Sequence, residues 1–133
     1  MKMKKLKAFT LPELLVVLVI IGILVLIALP KLMPLISKAK STEAQLQLGH
    51  VYNLEQNYFY LQSRYSANLD EIGFEQEKLV TENGSANYLI EIVEATPSGF
   101  IARATAVVDF DQDGNFNTWE INQEKKLTEV TRD

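Results

Sequence analysis

The chain has 133 residues, room for one domain, and its 13 Lys plus Arg against 17 Asp plus Glu give a net charge of −4. That balance argues against a basic nucleic-acid binder, and the absence of cysteine excludes disulfides, thiol nucleophiles and Cys-ligated metals. A mean hydropathy near zero hides an uneven chain: the apolar residues are piled at the N-terminus and the acids lie downstream.

Residues 1–8 carry Lys2, Lys4, Lys5 and Lys7 and no acid. Leu14 to Leu29 then runs sixteen residues without a polar side chain. A bilayer needs about 20 helical residues, so the helix spans only if Phe9 to Glu13 are included. The flanking lysines predict a cytoplasmic N-terminus with everything from Lys31 on the far side. A cleaved signal peptide fits less well, because Leu29-Pro30-Lys31-Leu32-Met33 lacks the small-residue site. A buried core helix fits less well too, since only about a hundred residues remain to surround it. Glu13 does not suit a simple anchor, because a carboxylate in hydrocarbon costs several kcal/mol unless paired.

The stretch Lys7-Ala8-Phe9-Thr10-Leu11-Pro12-Glu13-Leu14-Leu15-Val16-Val17 resembles the leader of type IV pilins and type II secretion pseudopilins. The resemblance implies cleavage between Ala8 and Phe9 by an inner-membrane prepilin peptidase and methylation of the new N-terminus. It also implies pairing of Glu13 with the amine of a neighbouring subunit, which sets filament register. Gly22 and Pro30 fall where the family's helix loosens in the assembled fibre. Two residues depart from the pattern: Ala8 replaces the usual Gly, and Pro12 replaces a branched apolar residue. Pro12 is harmless in the first turn of a mature helix but would break one continuing back through the leader.

Without the leader, nine basic residues face 17 acidic ones, so the remainder is distinctly acidic. Ala44, Leu48, Val51, Leu54, Tyr58, Leu61 and Tyr65 recur at steps of three and four, one apolar stripe on a helix. The pattern predicts a transmembrane or filament-core helix over 9–33 and an amphipathic helix over 34–65, bent or loosened around Pro30 to Pro34. Residues 66–87 read as a connecting loop with a short turn at Leu69 to Ile72. Residues 88–133 read as an antiparallel sheet: strands Tyr88 to Val93, Phe100 to Val108 and Thr118 to Gln123, with the turn Thr96-Pro97-Ser98-Gly99. Ala102, Ala104 and Ala106 share one face where a helix can approach. The predicted fold is α+β, a type IV pilin-like fold with a long helix packed on an antiparallel β-meander.

Residues 109–120 satisfy the calcium-loop pattern D-x-D-x-D-G-x5-E. That pattern nominates Asp109, Asp111, Asp113 and Glu120 as side-chain ligands of Ca2+, Asn115 through its carbonyl, and Asn117 directly or through water. Against it, the flanks read as strands and not as the helices of an EF-hand, and a hairpin turning at Asp113-Gly114 with solvated acids explains the same residues. In the resembled family, major pseudopilins bind calcium near this loop, whereas pilins usually close the region with a disulfide. The lack of cysteine leans toward the pseudopilin branch.

The remaining signals are bland. His50 lies off the apolar stripe, Asn83-Gly84-Ser85 is a common three-residue match explained by loop chemistry, and Tyr52, Tyr58, Phe59, Tyr60 and Tyr65 suit core and subunit contacts better than base stacking. No Ser-His-Asp set, phosphate loop or HExxH occurs, so an enzyme is not expected. The expected function is a filament subunit, favouring a secretion pseudopilin over a surface pilus for adhesion, motility or DNA uptake. Implied partners are other copies, the prepilin peptidase, membrane lipid before assembly, an inner-membrane platform and a cytoplasmic ATPase. The competing class is a non-polymerising, membrane-tethered calcium-binding module, for which Glu13 is incidental. A tip-located minor pilin is disfavoured by the presence of Glu13.

Overall fold

The computed structural model describes residues 8–133. The leader lysines Lys2, Lys4, Lys5 and Lys7 lie outside them. The chain divides into two compact units, one ending at Met33 and the other running from Pro34 to Asp133. One helix, α1 (Leu11–Gln62), supplies the first unit and the start of the second. It is helical through Pro30 and Pro34, so the predicted loosening there is absent from the backbone assignment. Each proline still removes a donor, leaving the carbonyls of Leu26 and Pro30 without their i+4 N–H. The helix stops at Gln62 and not at Tyr65, because Ser63 takes a left-handed conformation (φ 55°) and donates its N–H to the Phe59 carbonyl at 2.8 Å.

In the second unit the polar-looking half of α1 is the half that packs. Ser37, Ser41, Ala44, Leu48, Val51 and Glu55 are buried at alternating steps of four and three. They face a four-stranded antiparallel meander in sequential order: β1 (Tyr88–Ala95), β2 (Phe100–Ala106), β3 (Thr118–Asn122) and β4 (Leu127–Thr131). The core joins Ala44, Leu48 and Val51 to Tyr88, Ile90, Phe100, Ile121 and the alanines Ala102, Ala104 and Ala106. The alanines of β2 are buried in this shared core. Tyr65 stays in the core after the helix ends, its ring stacked on Phe59 at 4.8 Å and tilted against Phe100 at 5.1 Å.

β4 was not expected from the sequence. Its two apolar residues, Leu127 and Val130, are three apart in Leu-Thr-Glu-Val-Thr and the strand is exposed along most of its length, so it has no alternation to read. Pairing with β3 makes it a strand (Glu120 opposite Thr128, Thr118 opposite Thr131). The connecting segment includes the predicted turn near Leu69 and a single 3₁₀ turn, Val80–Glu82. Gly84 is required there, because a Cβ would fall 1.9 Å from the Lys78 carbonyl oxygen. Two side chains tie this segment and β1 down: Glu43 of α1 accepts the Asn87 N–H, and the Gln76 amide bonds the Tyr88 carbonyl and the Ile90 N–H. The Gln76 contacts occupy edge positions of β1 that would otherwise be open.

Candidate functional site

Two candidate sites emerge, one at the start of α1 and one in the loop between β2 and β3. At the first, Ala8, Phe9 and Thr10 are non-helical and exposed, and the helix begins at Leu11. Thr10 and Glu13 form a capping box: the Thr10 N–H donates to the Glu13 carboxylate at 3.1 Å, and the Glu13 N–H donates to Thr10 Oγ1 at 3.4 Å. The Leu14 N–H closes the first turn on the Thr10 carbonyl. Pro12 is the second helical residue, where a missing N–H leaves nothing unpaired. The T-x-x-E spacing of Thr10 and Glu13 is the sequence signature of this box.

Downstream of Glu13 every large apolar side chain from Leu14 to Ile36 is exposed. Gly22 and Pro30 sit inside this stretch with the helix unbroken around them. The segment has the length and composition to cross a membrane.

At the second site, the loop between β2 and β3 coils on itself through its own carboxylates. Asp109 accepts the N–H groups of Gln112 and Gly114 at 2.7 Å each, Asp111 that of Asp113, and Asp113 that of Asn115. Gln112 and Gly114 take positive φ (64° and 90°) to make these turns. Asp133, beyond β4, accepts the N–H groups of Phe110 and Asp111. One oxygen from each of Asp109, Asp111, Asp113 and Asp133 lies within 4.8 Å of the others. Partial desolvation, followed among the raising causes by the carboxylates of Asp133 and Asp113, pushes Asp111 up to about 6. The N–H of Asn115 holds Asp113 below its usual range.

The structure does not gather the whole set that the calcium pattern nominates. Glu120 lies in β3, paired with Arg103 of β2 at 2.7 Å, because the chain leaves the loop as a strand and not as the helix that would swing a twelfth residue back. Asn117 points inward and is nearly fully buried. Its carbonyl oxygen accepts from the Tyr88 hydroxyl at 2.6 Å and the Trp119 indole at 2.9 Å, and its amide donates to Glu129 and the Thr131 carbonyl. Asn117 is thus a structural pin between β3, β4 and β1. Asn115 stays in the loop, its side-chain amide on Asp113. Asp133 was missed: 24 residues separate it from Asp109, and only the pairing of β4 on β3 brings it back.

A long helix, apolar and exposed on all sides in its first half and packed on a β-meander in its second, defines an α+β pilin-like architecture with a capping box at its start. Comparison with known proteins agrees. A family profile described as "Prokaryotic N-terminal methylation motif" matches residues 3–29. The chain is 39% identical over 72 residues to the type IV major pilin protein PilA of Myxococcus xanthus (strain DK1622), covering 54% of this chain and 33% of that protein. The match thus spans a third of the relative's length. The chain therefore carries the N-terminal methylation motif and is similar over part of its length to a type IV pilin.

Proposed function

We propose that the chain is a membrane-stored subunit of a type IV pilus-like filament, a structural protein and not an enzyme. The observation that carries this reading is the methylation motif joined to a helix whose large apolar side chains are all exposed from Leu14 to Ile36. Such a surface needs a bilayer first and neighbouring helices afterwards. Cleavage falls between Ala8 and Phe9, in the non-helical peptide before the capping box, and Phe9 becomes the methylated terminus. Glu13 then exchanges its contact with the Thr10 N–H for the amine of a neighbour, since an unpaired carboxylate in an apolar bundle is expensive. Before cleavage the anchor is single-pass in the inner membrane with its N-terminus cytoplasmic. A peptidase, an assembly platform and an ATPase act on it from outside this chain.

Intact-mass measurement of protein from native membranes, with and without the peptidase, tests this. Loss of residues 1–8 and one added methyl group is the expected result. An uncut terminus in peptidase-positive cells overturns it and leaves the tethered module. Glu13→Ala separates the two classes again, abolishing assembly of a filament subunit and leaving a tethered module unchanged.

Within the filament class, the absence of cysteine and the acidic loop favour a secretion pseudopilin, whereas similarity to a protein named a type IV major pilin favours a surface pilus. Deleting the gene and scoring protein export against surface filaments decides between them.

We also propose that the loop takes Ca2+ on Asp109, Asp111, Asp113 and Asp133, with Asp133 in the place the pattern gave to Glu120. Convergent carboxylates are the hard oxygen donors that calcium selects, and a bound ion offsets their mutual repulsion. Affinity in the weak range of extracellular modules, about 10⁻⁴–10⁻³ M, is expected. Thermal unfolding with and without calcium should show a stabilisation that Asp133→Asn removes and Glu120→Gln retains.

A further inference from the structure

The turn that follows α1 is held by a buried carboxylic acid. Glu55 lies on the sheet-facing stripe of the helix and is fully buried among Val51, Leu48 and their partners. Its Oε2 accepts the Ser66 N–H at 3.0 Å, while its Oε1 is buried with no hydrogen-bond partner. Ser66 is also fully buried, and its hydroxyl donates to Glu71 Oε2 at 2.5 Å, an oxygen that also accepts from Tyr58 at 3.2 Å. Two carboxyl groups therefore flank a single serine. Two cations lie nearby: Arg64 sits over the Tyr58 ring at 5.4 Å and its charge helps lower Glu71, while Lys125 sits over the Tyr52 ring at 5.6 Å. The single ion pair among the described residues is Arg103 with Glu120.

We propose that Glu55 is a proton-operated latch: protonated, it holds Ser66 and the turn through Ile72 against α1, and ionised, it releases them. Ionisation sends the proton to solvent and leaves a buried charge with one oxygen lacking any donor and a second carboxylate on the far side of Ser66. That state is relieved when the turn lifts and water enters. Burial, first, and the Glu71 charge raise the Glu55 carboxyl above its ordinary range against the opposing Ser66 N–H bond, whereas the Ser66 hydroxyl lowers Glu71. A raised folded value means that the latch is fully closed below the ordinary carboxylate range and opens as pH rises through the raised value. Release frees the segment carrying Tyr65 from its stack on Phe59. The device is intramolecular and stands whether or not the chain polymerises.

Hydrogen exchange of the full chain in detergent micelles, corrected for intrinsic exchange, reads the latch directly. Protection over residues 63–72 should fall about tenfold or more from pH 5 to pH 8 as the turn opens locally, while β1 to β3 keep theirs. Glu55→Gln should hold the low-pH protection across the range. A flat native profile, or an unchanged pH loss in Glu55→Gln, overturns the proposal. Should Glu55→Gln lose protection in the strands as well, Glu71→Gln decides: removing the neighbouring charge moves the midpoint to lower pH, and an unmoved midpoint overturns the latch.

Discussion

Residues 14–29 and residues 37–55 belong to one helix, yet their burial runs opposite to their polarity. The first stretch has no polar side chain and is exposed throughout, while the second buries Ser37, Ser41 and Glu55 beside Ala44, Leu48 and Val51. Hydrophobicity by itself does not mark the core. What marks it is a stripe at helical spacing with a partner surface, supplied here by β2 and its alanines. An apolar helix without such a partner reports an environment outside the chain.

The sharpest break of this comparison is a pair of truncations. Leu48→Ala should destabilise the sheet-bearing unit by about 2–5 kcal/mol, since the side chain is fully buried. Leu24→Ala should leave the same unfolding transition in place, because its side chain is exposed. Denaturant titration followed by near-UV circular dichroism reads both. Equal effects would mean that the exposed half contributes to the core.

Ile20→Arg tests the other half. A cation at the centre of the apolar stretch should oppose membrane insertion by about 2.5–3.5 kcal/mol and move the protein into the alkali-extractable fraction, with the fold of the second unit intact. Asn117→Ala should cost about 1–3 kcal/mol, because it leaves the buried Tyr88 hydroxyl and Trp119 indole without their shared acceptor. A loss this large contradicts a primarily metal-binding Asn117, whose replacement would matter only with calcium present. The smallest effect expected is Thr10→Ala, about 1 kcal/mol at the helix start, seen as faster amide exchange at Glu13 and Leu14 and nowhere else.

Much of the fold was legible in the sequence where one periodicity ran without competition. The stripe from Ala44 to Leu54 and the alternation in β1 and β2 each point one way, and the helix boundary moved only because Ser63 adopts a left-handed backbone. The loop was half legible. Asp109, Asp111 and Asp113 converge because alternate residues of a tight turn lie on one side. The pattern's last ligand failed because a strand, unlike a helix, carries Glu120 away toward Arg103.

What the sequence determined by itself is local: a basic leader, an apolar helix opened by Thr10 and Glu13, an amphipathic continuation and two clear strands, all set by nearest-neighbour spacing and backbone preference. What the tertiary structure decided depends on pairings across long separations. Strand β4 exists because β3 offers it an edge, Asp133 joins the acidic loop because β4 returns it there, and Asn117 becomes a core pin once Tyr88 and Trp119 close on it. Glu55 is buried because the turn at Ser66 folds over it. Most of these contacts cross from one element to another, where no local periodicity reaches.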